Sequence, residues 1–295
     1  MRIASDTAVV MTTHDGELFV ARQIDSILSQ SLLPAQLTIV DDASGDGTRA
    51  IVHELAAVAP VPIHLISVDG SQHRNLKTRV TANVIRGLNL VASFEFVLLS
   101  DQDDEWLPER LERQHDLLTS RPDALLVAAD GVLIDEGGVA IGGRLRDRFP
   151  APPEWDRLDA AQRVRAAVRR PFVTGATCAL RRELVPLLTP VPAGWLFDRW
   201  ATLVAASRDG LVLQPEALIR YRIHGAQVTG VAQAPTGRGG RRWRQVLARD
   251  ATPFEAVVRA HDVVNRIGPL AVGRSVREEL SWRAMIRAAL SRAES

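Results

Sequence analysis

The sequence predicts an α/β protein, a single mostly parallel sheet flanked by helices on both faces, with a helical C-terminal extension. Three observations predict it. Over residues 1–130, apolar runs of strand length alternate with segments of helical period, a rhythm that calls for a largely parallel sheet. Three of those runs end in small and acidic clusters, at 12–15, 41–46 and 101–104, and ligands of open α/β sheets sit beyond the carboxyl ends of the strands. The composition of the 295 residues is ordinary for a globular chain, 46% apolar and 24% charged, with 20 Gly and 16 Pro.

Thr7 to Thr13 reads as the first strand, followed by a helix with Ala21, Ile24 and Leu28 on one face. Leu37, Ile39 and Val40 form the second strand, which empties into Asp41-Asp42-Ala43-Ser44-Gly45-Asp46-Gly47-Thr48. Those residues end the strand and cap a helix from about 48 to 59. Val61 to Val68 is a third strand, and a polar turn through Ser71 and Asn75 starts a helix reaching about Leu90. Phe94 to Ser100 is a nearly continuous apolar strand that stops at Asp101. Leu107, Leu111 and Leu118 line the next helix, and Ala124 to Val132 is a fifth strand.

From Gly137 to Pro171 the pattern breaks down into Gly-Gly pairs, an Ala-Pro-Pro turn and eight arginines between Arg144 and Arg170. This segment reads as an irregular insertion with one amphipathic helix, Leu158 to Arg169. Phe172 to Leu180 is strand-like, Trp195 to Ala206 helical, and Leu211 to Tyr221 contains a further strand. A Gly/Pro-rich linker at 230–240 leads into a basic helical tail.

Cys178 is the one cysteine, which excludes a disulfide framework and any multi-cysteine metal site. With no signal-peptide pattern and no long apolar run, the expectation is a cytoplasmic protein. The net charge of +1 divides unevenly, a balance of −9 over residues 1–130 and of +10 over the remainder. Such a division suits a metal-dependent enzyme for an anionic substrate, a protein resting on an anionic surface, or a plain dipolar surface. Neither a G-x-G-x-x-G after the first strand nor a G-x-x-x-x-G-K-[ST] is present, which argues against dinucleotide enzymes and P-loop NTPases.

Asp101, Asp103 and Asp104 leave a buried strand onto a tight turn, where hard oxygen ligands suit Mg²⁺ or Mn²⁺. A helix cap accounts for one of these carboxylates but not for three. Asp41-Asp42 suits a ribose or base hydrogen bond as well as it suits a cap. Asp198 lies among Trp195, Leu196, Phe197 and Trp200, so it is either a carboxylate with a raised pKa suited to a general base or half of an ion pair with Arg199, Arg220 or Arg222. His224 is open between a structural imidazole and an anion-facing edge.

Four ordered motifs then make the chain similar to the family 2 glycosyltransferases. They are Thr13-His14-Asp15-Gly16, Gln23 to Gln30, Ile39 to Thr48, and Leu99-Ser100-Asp101-Gln102-Asp103-Asp104-Glu105-Trp106. The Asp-Gln-Asp-Asp string, Thr174-Gly175-Ala176-Thr177, Asp198-Arg199-Trp200 and Tyr221 to Gly225 resemble the rhamnosyltransferase-like branch. The resemblance spans roughly residues 7–230 and implies the GT-A fold, with its Rossmann-like sheet, and an inverting transfer from a nucleotide-diphosphate sugar, dTDP-L-rhamnose favoured over UDP-hexoses. It implies nucleotide and donor contacts at Thr13, His14, Asp15, Asp41, Asp42, Asp101 and Gln102. Metal contacts fall on Asp101, Asp103 and His224, with Mn²⁺ or Mg²⁺ as cofactor, and Asp198 becomes the catalytic base. Asn75, Lys77, Asp104, Trp200 and Arg222 take lesser roles. Two departures stand out. His14-Asp15 occupies the place of a usual Tyr-Asn, and Phe197 precedes Asp198 where the branch commonly has His.

The expected organisation is a glycosyltransferase domain over 1–230, divided into a nucleotide-sugar half (1–130) and an acceptor half (131–230), then linker and tail over 231–295. The acceptor is a glycan, a lipid-linked intermediate or a small molecule, as in cell-wall or polysaccharide biosynthesis, and no nucleic acid is expected. Arg238, Arg241, Arg242, Trp243 and Arg244, with the Trp282 to Leu290 helix, suit peripheral contact with the inner face of the cell membrane, or packing on the domain or on a second copy in a homodimer. Two rivals stand beside this reading. A metal-dependent sugar-phosphate nucleotidyltransferase would release pyrophosphate, and a non-catalytic α/β scaffold would bind neither metal nor nucleotide.

Overall fold

The computed structural model describes residues 2–68, 75–225 and 253–284. The linker at 230–240 and the basic residues from Arg238 to Leu247 lie outside the described residues, as does the tail from Met285 onward. Strands β1 (Ile3–Thr13), β2 (Leu33–Asp42), β3 (Ile63–Val68) and β4 (Phe96–Asp101) alternate with helices α1 (Val20–Leu28), α2 (Thr48–Val58) and α3 (Leu76–Leu90). β3, β2, β1 and β4 lie side by side in that order, all parallel. Because a strand turns successive side chains to opposite faces, each contributes to two cores. Ala8, Val10, Val97 and Leu99 face one core with Leu88 and Val91. Val9, Met11, Phe96 and Leu98 face the other with Val20, Ile24, Ile27 and Val52. α3 rides so close to the sheet that a Cβ at Gly87 would lie 2.3 Å from Val10 Cγ1.

Beyond β4 the sheet becomes mixed. A short strand β5 (Glu105–Trp106) and helix α4 (Arg110–Ser120) precede β6 (Leu126–Ile134). β6 does not pair with β4, because β8 (Cys178–Arg181) inserts antiparallel between them. β9 (Leu211–Arg222) runs parallel to β6 and carries β5 on its far side. Strand pairing across 50 residues is a tertiary choice, which a local period does not report. Residues 172–180 are accordingly not one strand. A 3-10 turn over Gly175–Thr177, closed by Thr177 Oγ1 donating to Thr174 O at 2.8 Å, interrupts it.

The segment 137–171 is more ordered than its composition implies. β7 (Ala140–Arg144) forms a hairpin with β6, and α5 (Leu145–Arg148) follows. α6 (Ala160–Arg169) starts at a reciprocal cap in which Asp159 accepts from Gln162 N (2.8 Å) and Gln162 Oε1 accepts from Asp159 N (2.9 Å). α7 (Val185–Leu188) leads to α8 (Phe197–Ser207), most of whose residues are buried, as expected of a helix apolar nearly all round. The C-terminal segment, with α9 (Pro253–Asp262), α10 (Arg274–Glu279) and the turns around them, adds Val263, Ile267, Ala271, Val276 and Leu280 to the core that α8 shares. Among the described residues no helix is long and apolar enough to cross a membrane.

Candidate functional site

The parallel register brings the three polar loops to one edge, with Thr13 opposite Asp41 and Thr12 opposite Asp101. The first two loops are tied to each other by side chains. Asp41 is fully buried; its Oδ1 accepts from Thr13 Oγ1 (2.9 Å) and Ser44 Oγ (2.5 Å), and its Oδ2 from Ser44 N (3.1 Å). Asp15 takes a positive φ of 45° and accepts from Gly45 N at 2.7 Å, while its own N–H donates to Ser44 Oγ. Gln102 donates to His14 O (2.9 Å) and accepts from His14 N (2.8 Å), locking the first loop to the third. A side chain at Gly16 would meet that amide at 2.3 Å. Thr13, Asp41 and Gln102, expected to touch the donor, therefore commit their polar atoms to one another and to the loops they join, whereas Asp15, tied through Oδ1, keeps a half-exposed carboxylate.

Asp42 is different. Its Oδ2 receives Nε (3.0 Å) and Nη2 (2.7 Å) of Arg79, while its Oδ1 is buried with no hydrogen-bond partner. An orphaned buried acceptor costs about 1–3 kcal/mol, and a donor from a ligand would remove that penalty. His14 stands beside it, its Nδ1 2.7 Å from Asp42 O and its ring half exposed. Asn75 caps α3 by accepting from Thr78 N (3.3 Å), and Lys77 lies in the first turn of that helix.

The third loop concentrates negative charge. Asp101, Asp103 and Asp104 each present an oxygen within 4.8 Å of the others. Burial, then Asp103 and Asp198, push the Asp101 carboxyl up to about 7, against the pull of Arg110. Burial, then Asp103 and Asp101, hold Asp104 well above the usual carboxylate range. Asp104 Oδ1 accepts from Arg222 N (2.9 Å), but its Oδ2 is buried and unpartnered. Three crowded hard donors with an orphaned oxygen fit a divalent cation such as Mn²⁺ or Mg²⁺. His224, expected as a ligand, stands at the edge of the cluster against Asp103, Nε2 to Oδ2 at 2.8 Å, a contact that orients that carboxylate.

The loop is clamped from two sides. From β9, Arg222 donates to the carbonyls of Asp103 (2.7 Å), Asp135 and Glu136 and to Glu105 Oε1, while Arg220 holds Glu105 Oε2. From α1, Gln23 Nε2 donates to Ser100 Oγ (2.6 Å) and Ser26 Oγ accepts from Trp106 N, and just beyond the helix Gln30 donates to Leu107 O and accepts from Leu111 N. Beneath the acids lies Arg110, fully buried, its guanidinium 3.9 Å from the centroid of the Trp106 ring and donating to Leu99 O. Burial drives its pKa down to about 9 although Asp104 and Asp101 draw it up. The sequence hides both Arg110 and Arg79. The one signal for Arg110 is Gln114 four residues on, which shares its buried stripe and accepts from its Nε at 3.2 Å.

Asp198 stands across from this cluster in the first turn of α8. Its Oδ2 accepts from Gly175 N (3.2 Å) and its Oδ1 from Arg199 N (2.6 Å). Burial raises its pKa, and the two N–H donors offset part of the rise. Its charge is among those that push the Asp101 carboxyl up, so the two acidic groups lie within electrostatic range of each other. Trp200 turns the other way, into the core, and donates its indole N–H to Leu188 O at 3.0 Å. Cys178 is core as well, its thiol pushed up by burial.

Comparison with known proteins bears on this arrangement. The family model described as Glycosyl transferase family 2 matches residues 8–186. EpsE of Bacillus subtilis (strain 168), provisionally named a glycosyltransferase, is 33% identical over 152 residues, 52% of this chain and 52% of that protein. A dTDP-rhamnosyl transferase, RfbG of Shigella flexneri, is 29% identical over 111 residues, 37% of this chain and 36% of that protein. The chain spans about half the length of the curated relatives it matches. A crystal structure of S. aureus TarS 1-349 in complex with UDP-GlcNAc superposes with a TM-score of 0.62 at 14% identity, covering 99% of this chain and 73% of that one.

Proposed function

The chain belongs to glycosyl transferase family 2, and from that membership we propose that it transfers a sugar from a nucleotide-diphosphate donor to a hydroxyl acceptor with inversion at the anomeric carbon. The observation that carries this reading is the Asp101–Asp103–Asp104 cluster at the carboxyl edge of the sheet, with a separate carboxylate, Asp198 on α8, within electrostatic range of it. Asp42 receives the nucleoside through its unpartnered Oδ1, with Arg79 fixing the carboxylate and His14 alongside. Asp101, Asp103 and Asp104 would hold the divalent cation, whose charge, when bound, offsets that of the leaving diphosphate.

Asp198 is the base. As the acceptor oxygen bonds to the anomeric carbon, the bond from that carbon to the diphosphate oxygen breaks and its electron pair leaves with the nucleoside diphosphate. The acceptor's hydroxyl proton passes to Asp198, whose raised pKa suits it to the task. The N–H groups of Gly175 and Arg199 fix the carboxylate in place. Arg110 supplies a permanent counter-charge beneath the acids.

For the donor we favour dTDP-L-rhamnose. The support is the Asp101-Gln102-Asp103-Asp104 string and the similarity to the Shigella flexneri dTDP-rhamnosyl transferase. The test is a panel of dTDP-, UDP- and GDP-sugars, with Mn²⁺ or with EDTA, read by the phosphate product. Release of dTDP only with the cation is expected. Cleavage of a UDP- or GDP-sugar alone would remove the rhamnose assignment, and release of pyrophosphate would point to a nucleotidyltransferase.

A further inference from the structure

Trp195, three residues before Asp198, joins three parts of the chain. We propose that its hydrogen bond to Asp262 makes the C-terminal segment a positioning element for the Asp198 base, an inference that rests on the reading of Asp198 above. The indole is buried, and its Nε1 donates at 2.9 Å to Oδ2 of Asp262, itself 7% exposed at the end of α9. The other oxygen of Asp262 faces Arg266 Nε at 3.5 Å. Thr81 Oγ1 donates to Trp195 O at 3.0 Å, and Thr81 sits two residues from Arg79, which grips Asp42. The Trp195 ring packs edge-on against Trp200 with centroids 5.3 Å apart, and Arg199, next to the base, lies 5.5 Å from its centroid.

The same segment holds the far end of α8. Val272 N donates to Ser207 O at 2.9 Å, and Arg208 Nη1 to Leu270 O at 3.1 Å. A strap running from Asp262 to Val272 thus fastens both ends of the helix that carries the base. The strap lies outside the residues matched by the family model. Helix α8 has no side-chain cap at its start, so the turn leading into Asp198 depends on tertiary ties: Thr81 holds the Trp195 carbonyl, and Asp262 holds its indole. If the tie to Asp262 is lost, a buried indole N–H is orphaned and the turn relaxes. A base needs its geometry in the transition state, and a displacement of about 1 Å costs on the order of a hundredfold in rate.

The test compares Asp262→Leu, Asp262→Asn and Trp195→Phe in the full chain, with Asp198→Asn as reference. It reads donor turnover with water or acceptor, and calorimetric affinity for Mn²⁺ and for the nucleoside diphosphate of the cleaved donor. Asp262→Leu and Trp195→Phe are expected to lower kcat by roughly ten- to a hundredfold with nucleotide and metal affinity unchanged. Asp262→Asn, which keeps an acceptor oxygen, should restore most of the loss. Trp195→Phe retains the ring and decides the matter should Asp262→Leu fail to fold. Wild-type kcat in a folded Trp195→Phe protein would overturn the proposal, as would an affinity loss matching the loss in kcat. Full turnover by Asp198→Asn would instead remove the base assignment itself, a separate result.

Discussion

Acidification should strip a divalent cation from the Asp101–Asp103–Asp104 cluster, and the structure sets how steeply. Asp101 is held up at about 7 by burial and by Asp103 and Asp198, and Asp104 is raised well above the carboxylate range. A cation binds the ionised carboxylates. Below about pH 7 it must therefore displace a proton from Asp101, and the raised Asp104 adds to that competition as pH falls. Apparent affinity then falls by at least about tenfold for each pH unit, one decade per proton displaced. The metal-free protein shows the converse. Asp101 keeps its proton in the fold while the unfolded chain has lost it, so this group's contribution to stability falls as pH rises from about 4 to about 7. A rise from 3.8 to about 7 corresponds to about 4 kcal/mol. Calorimetric titration with Mn²⁺ in two buffers of different ionisation enthalpy counts the protons released. Thermal unfolding in EDTA, compared with Asp101→Asn, isolates the stability slope. A flat affinity with no proton release across about pH 6 to 8 would refute the reasoning, as would a slope that Asp101→Asn leaves unchanged.

Three further outcomes are expected. Asp42→Asn should weaken nucleoside diphosphate binding by roughly ten- to a hundredfold, the worth of a hydrogen bond to a charged group, and calorimetry should find Mn²⁺ affinity unchanged. Gly87→Ala drives a methyl to 2.3 Å from Val10 Cγ1 and 3.4 Å from Val40 Cγ2; overpacking of this kind costs about 1–3 kcal/mol, seen as a lower Tm. Arg110→Met should lower the Tm of the metal-free protein, because the cluster loses the buried cation that opposes its self-repulsion, while Arg110→Lys should recover part of it.

What the sequence revealed and what it hid follow from the range of the interactions. β1 to β4 and their loops were legible because an apolar run of strand length and a run of small and acidic residues are local signals. The partition of roles within the loops was not. Asp41 and Asp42 are adjacent on one strand and so point to opposite faces. One is enclosed by Thr13 and Ser44, the other leaves an oxygen unpaired, and no pattern in the string tells them apart. Trp200 and Asp198 are two residues apart on α8 and likewise diverge, one to the core and one to the site. Arg79 and Arg110 look like solvated helix charges until the fold places them against Asp42 and beneath Asp101 and Asp104. Gln23 and Ser26 on α1, with Gln30 just beyond it, were legible as part of a motif, and the structure has them holding the third loop.

The account's central claim is that the acid cluster and Asp198 act from separate positions in one in-line displacement, with no enzyme-bound sugar between. Proton NMR of the sugar released when water serves as acceptor tests this directly, because the first-formed anomer is visible before mutarotation. The account predicts the anomer opposite to that of the donor. Retention would mean two successive displacements through a carboxylate nucleophile, and would return Asp198 to a structural role.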